Sequence, residues 1–143
     1  MTIKQLKVPA KAEPGMSLKE MKKFVKDHFE DFVNRKKAEV GLKNMSPNFL
    51  DHDEMNGPQV GPEAAMSMMK GMYKMFPDLN VTVVDSIAQD DKVMVRNIWR
   101  GTGKNGKKIE FHGFVLWRIA NKKLVERWAT ITSPSEEDEG WKW

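Results

Sequence analysis

Three histidines stand in a chain of 143 residues that has no cysteine, and one of them is flanked by carboxylates. His52 lies in Asp51-His52-Asp53, where an imidazole beside two acids can be held near neutral pH and shuttle protons. The plainer reading is that His52 and Asp51 fix a loop by hydrogen bonds. As a metal site the triplet is weak, because adjacent strand residues point to opposite sides and no second histidine is placed to help. His28 falls on an apolar helical stripe, which suits a packed structural residue. His112 falls on a strand face opposite Phe111 and Val115, which suits an interface. Arg127 is the strongest charge of the late segments. Pointing inward it favours a carboxylate or an enolate; at a rim its head is simply solvated.

Composition removes several other chemistries. The absence of cysteine excludes disulfides, thiolate metal sites and a thiol nucleophile, and it fits a reducing cytoplasm, the expected location. No apolar run approaches the ~20 residues of a membrane span, and the first residues lack the pattern of a secretory signal. The net charge of +4 is unevenly spread: Lys4 to Lys26 crowd the front, and Glu136 to Glu139 crowd the end. A basic stretch without interleaved aromatics or a reading motif predicts solvated surface, so no nucleic acid and no membrane are expected as partners. Gly101-Thr102-Gly103 is too short for a phosphate loop, and no nucleophile elbow or nucleotide fingerprint occurs. No cofactor and no metal are expected.

The elements that must position these groups are helices followed by strands. Residues 1–16 carry no apolar period and read as an arm. Ser17 and Glu20 have the spacing of a capping box, and Leu18, Met21, Phe24, Val25, His28, Phe29, Phe32 and Val33 repeat at three and four residues, which predicts an amphipathic helix. A short helical piece follows over 35–43, then a turn and a very short strand over 46–53. Pro62 and Glu63 open a helix whose stripe is Met66, Met69, Met72, Tyr73 and Phe76, stopped by Pro77. The clustered methionines supply core or an adaptable lining.

From Asn80 onward the spacing predicts strands over 80–88, 92–102, 107–119 and 123–132, joined by short reversals, hence an antiparallel meander. The tail, 134–143, is acidic. The fold class is therefore α+β, with N-terminal helices covering one face of an antiparallel sheet; the resemblance given below implies that this sheet is strongly curved around a central pocket. Alternation puts Asn97 and Trp99 on the cavity side of one strand. It puts Phe111, Val115 and Trp117 on one face of the next, and Arg127 with Ala129 on one face of the last. Gly113 marks a place for the sheet to bend. The opposite face, with Phe114 and Leu116, predicts pairing with a second copy.

Phe49-Leu-Asp-His-Asp53, Gly61-Pro-Glu63, Phe76-Pro-Asp-Leu79, Asp91-Lys-Val93, Arg96, Gly101-Thr102, Gly113 and Lys122-Lys-Leu-Val-Glu-Arg-Trp128 stand in the order and approximate spacing of a known family. Over residues 17–133 the chain resembles the SnoaL-like polyketide cyclases of the nuclear-transport-factor-2-like superfamily. The resemblance implies a cone of bent sheet around helices, a hydrophobic cavity at the open end, a homodimer through the outer sheet face, and no cofactor. It also implies an aldol closure in which a carboxylate, assisted by a histidine, acts as acid and base. The family's aspartate and histidine correspond to Ala129 and Val115 here, and neither side chain can exchange a proton.

Two readings stay open. One is a protein that binds a small, mainly apolar ligand with an acidic or carbonyl group, and acts as a cofactor-free enzyme of cyclase, isomerase or hydrolase type. In it His52 is the acid/base, Arg127 or Asn97 holds an oxyanion, and Asp51, Trp99, Phe111, Val115, Trp117 and Ala129 complete the pocket. The other is a non-catalytic ligand-binding or dimerisation module.

Overall fold

The computed structural model describes residues 11–54 and 56–132; the predicted acidic tail and most of the predicted arm lie outside them. Helix α1 (Leu18–Phe29) starts at the capping box read from the sequence: Glu20 N–H donates to Ser17 Oγ at 3.1 Å and Ser17 N–H to Glu20 Oε1 at 3.2 Å. Its stripe is driven inward by burial of Met21, Val25, His28 and Phe29. The helix widens into a π turn over Glu30–Asn34. Asn34 ends it and docks on the sheet, accepting from Val81 N–H at 2.7 Å and donating to Val81 O at 3.0 Å.

A short helix α2 (Val40–Asn44) leads into strand β1 (Met45–Asp51), then β2 (Gln59–Val60) and helix α3 (Glu63–Met75). Gly61 precedes α3 at φ +91°, in the left-handed region that favours glycine. The four long strands are β3 (Asn80–Gln89), β4 (Lys92–Thr102), β5 (Lys108–Ala120) and β6 (Lys123–Thr132), which form the expected antiparallel meander. The sheet has six strands in the order β2-β1-β6-β5-β4-β3.

The sheet is mixed rather than wholly antiparallel, because β1 runs parallel to β6, with Asp51 opposite Arg127. Strand β1 is also longer than its sequence suggested. Consecutive strands joined by tight turns must be antiparallel, but β1 pairs with β6 across four strands that intervene in the chain, and only the assembled sheet sets that direction.

The core lies between α1, its π turn and the inner sheet face, with Phe49, Val93, Val95, Val115, Trp117 and Ile119 all buried. Gly113 allows a close approach: a Cβ there would stand 2.5 Å from Asn97 Oδ1. On the outer face Phe114 and Met94 remain exposed. Among the described residues no helix is long and apolar enough to cross a membrane.

Candidate functional site

The inner sheet face and the helices enclose a cavity of about 440 Å³. One wall is the sheet, with Trp99, Phe111, Trp117, Arg127 and Ile131. The other is largely α3, with Ala65, Met68, Met69, Met72 and Met75. The ionisable groups along the lining are His28, Asp51, Asp53, Glu54 and Arg127.

Parallel pairing with β6 decides which side chains of the Asp51-His52-Asp53 triplet enter. One backbone bond carries the pairing past β1, from His52 N–H to Arg127 O at 3.0 Å, and in the turn that follows Asp53 Oδ2 accepts from Ala129 N–H at 2.7 Å. Alternation then sends Asp51 and Asp53 to the cavity and His52 to the opposite face. Arg127 Nη1 donates to Asp51 Oδ1 at 2.8 Å, and Asp53 N–H donates to the same oxygen at 3.1 Å. The guanidinium also lies over Trp117, 5.9 Å from the ring centroid, within cation–π range.

This corrects the expectation for His52. Its Nε2 is 2.8 Å from Glu126 Oε2 and its ring stacks on Trp128 at 4.7 Å and 8°. Glu126 also accepts from Arg118 Nε at 2.6 Å. All these partners lie on the outer face, so the imidazole is turned away from the cavity and is not among its lining residues. The plainer reading, a histidine that fixes the loop, describes this geometry.

Trp99, Phe111, Trp117 and Arg127 line the cavity on the faces that parity gave them, and Asp51 lines it as well. Asn97, Val115 and Ala129 do not line it. Asn97 is on the inner face but fully buried, and its Oδ1 accepts from Trp99 Nε1 at 3.1 Å. Val115 and Ala129 face each other across β5 and β6 and pack in the core.

Three polar lining groups carried no cavity role in the sequence reading. Asp53 has the parity of Asp51, a signal that was present once β1 is allowed to continue. Glu54 follows it in the same loop. His28 was read as structural. It is buried among aromatics, stacked on Phe32 at 5.0 Å and edge-on to Trp117 at 5.6 Å. Its Nδ1 faces Asn44 Nδ2 at 2.9 Å. Burial disfavours the imidazolium and pushes the pKa down to about 4, with the Arg127 charge adding to the fall and Asp31 opposing it.

Among the described residues no group of three or more His, Cys, Asp or Glu side chains is arranged for a metal ion. The site therefore offers carboxylates and one guanidinium at one pole of an apolar chamber. A carboxylate there can take a carbon-bound proton while positively polarised groups hold the resulting oxyanion.

Solved structures with similar folds are numerous. AclR of Streptomyces galilaeus, provisionally described as a hydroxylase, is 26% identical, with 81% of this chain and 91% of that chain covered at a TM-score of 0.71. A Bacillus cereus protein provisionally described as a polyketide cyclase is 25% identical, with 92% and 90% covered at a TM-score of 0.71. IdmH of Streptomyces antibioticus, also provisionally a polyketide cyclase, shares the fold at 21% identity, 76% and 89% coverage and a TM-score of 0.67. Among curated protein sequences none matches. The family model of the SnoaL-like polyketide cyclases matches residues 23–133, most of the chain, and this protein belongs to that family.

Proposed function

We propose that the cavity binds a small, mainly apolar molecule bearing a carbonyl group and moves a carbon-bound proton of it without a cofactor. One observation carries this reading: the Asp53 carboxylate, at the exposed rim of the cavity, is anchored on Ala129 N–H, and Asp51 Oδ1 ties the Asp53 backbone to Arg127. Ala129 is the position at which the resembled cyclases bear their acid. Here a carboxylate reaches the same backbone from the loop after β1. In the proposed mechanism Asp53 accepts the proton next to the carbonyl, and Arg127 favours the enolate oxygen that develops. Asp51 orients Arg127 and is committed to it. The aromatic side chains of the sheet supply the surface against which a flat ligand lies.

The test is exchange of ketone α-protons for deuterium, followed by proton NMR with 2-acetylnaphthalene in heavy water. Asp53→Asn is expected to slow exchange about a hundredfold. Equal exchange by wild type and variant removes Asp53 from the role. The second reading, a module that binds without converting, is favoured by the pairing of Arg127 with Asp51, which leaves the cation partly neutralised. Stabilisation of the fold by the ketone with no protein-dependent exchange supports that module.

As a further part of this reading, the outer face with Phe114 and Met94 pairs with a second copy. Light scattering at a monomer mass would remove that part.

A further inference from the structure

Two buried donors beside the cavity lack an acceptor among the described residues: His28 Nε2 and Trp117 Nε1. Both residues line the cavity, and their rings meet edge-on at 5.6 Å. The histidine nitrogen is a donor for a local reason. Asn44 Nδ2 donates to Nδ1, so the single proton of the neutral ring sits on Nε2. Phe32 and Phe29 hold the two rings in place by stacking and edge contacts. Buried donors are nearly always paired, and an unpaired one in a lined cavity points to a group that arrives from outside. Asn97 Nδ2 also lacks an acceptor, but it is not in the lining.

Resting on the reading that this cavity binds a ligand, we infer that His28 Nε2 and Trp117 Nε1 together receive an acceptor oxygen of that ligand. The oxygen belongs to an uncharged group such as a ketone, ester or lactone, rather than to a carboxylate. The charge argument comes from the described lining. Asp51 and Asp53 stand against one guanidinium there, Arg127, whose Nη1 is already given to Asp51. His28 adds no cation near neutral pH, because burial keeps it unprotonated. An anionic ligand would meet net negative charge, whereas a neutral carbonyl meets two donors without that repulsion.

Three probes of one shape separate these terms in the full chain: 2-acetylnaphthalene, 2-ethylnaphthalene and 2-naphthoate. Calorimetry on wild type is expected to rank the ketone about tenfold above the hydrocarbon, with the carboxylate weakest. In a proton–nitrogen spectrum the Trp117 indole N–H, identified by its loss in Trp117→Phe, moves downfield with the ketone but not with the hydrocarbon. His28→Phe keeps the aromatic packing and is expected to cut the ketone preference about threefold. A hydrocarbon that binds wild type as tightly as the ketone overturns the donor pair and leaves the cavity reading intact. A preference that persists in both Phe variants, or an indole signal that stays put, overturns it equally. Tightest binding by the carboxylate overturns the choice of a neutral group. Failure of all three probes to bind overturns this inference and the cavity reading together. Should either variant fail to fold, the wild-type ranking and indole shift still decide.

Discussion

The two walls of the cavity are built on different terms. The sheet wall is held by backbone ladders on both sides of β4, β5 and β6, and its side chains lock one another. Trp99 bonds Asn97, Asn97 crowds Gly113, and Arg127 bonds Asp51 while lying over Trp117. The helical wall is α3, whose backbone packs beside α2 and whose Tyr73 hydroxyl donates to the Phe32 carbonyl in the π turn. Its cavity side is almost wholly methionine, a side chain that changes shape at little cost. The difference teaches that Arg127 and Asp51 are held where geometry is fixed, and ligand shape is accommodated on the other side.

Substitutions test that contrast directly. Asp51→Ala leaves the Arg127 guanidinium without its partner and should lower stability by about 4 kcal/mol in urea unfolding, since removing one member of a buried pair strands the other. A loss no larger than that of an exposed ion pair would mean the sheet wall is softer than described.

His28, on α1, packs edge-on against Trp117 of the sheet wall, and its titration has a definite sign. Its folded pKa, about 4, lies below the unfolded 6.5, so the unfolded chain binds the extra proton first. The contribution is fully present above pH 6.5 and is lost as pH falls through the window down to about 4, to a total of about 3 kcal/mol. His28→Phe should lack this component, and the difference between the two unfolding curves against pH measures it.

Gly113→Ala drives a methyl into Asn97 Oδ1 and should cost about 2 kcal/mol, because Asn97 is itself pinned by Trp99 and cannot withdraw freely. Met72→Leu, on the helical wall, should change stability by less than about 1 kcal/mol. Equal losses from these last two would erase the distinction between the walls.

Much of this architecture was legible in residue order. The capping box of Ser17 and Glu20 names the start of α1 because its two reciprocal bonds are local. The inward sets of β4 and β5 follow from alternation within hairpins whose turns set the register. What was not legible depended on partners distant in sequence. Whether Asp51 or His52 enters the cavity rests on the pairing of β1 with β6, and nothing within residues 45–53 states it. Alternation did allow one inference that was not drawn: Asp51 and His52 are neighbours on a strand, so they could not both be inside. His28 was hidden for the opposite reason. Its helical spacing is that of any core residue, and only the aromatic box around it and the bond from Asn44 set its ring apart.

The parallel alignment of β1 with β6 also makes the cavity's chemical character depend on a single step in the chain. Losing or gaining one residue just ahead of Asp51 would rotate the triplet by half a period, bringing an imidazole inside and expelling both carboxylates, with every ladder of the meander untouched. A lineage using this scaffold can thus trade one kind of acid for another through a small insertion or deletion in one short strand, without rebuilding the walls that hold its ligand.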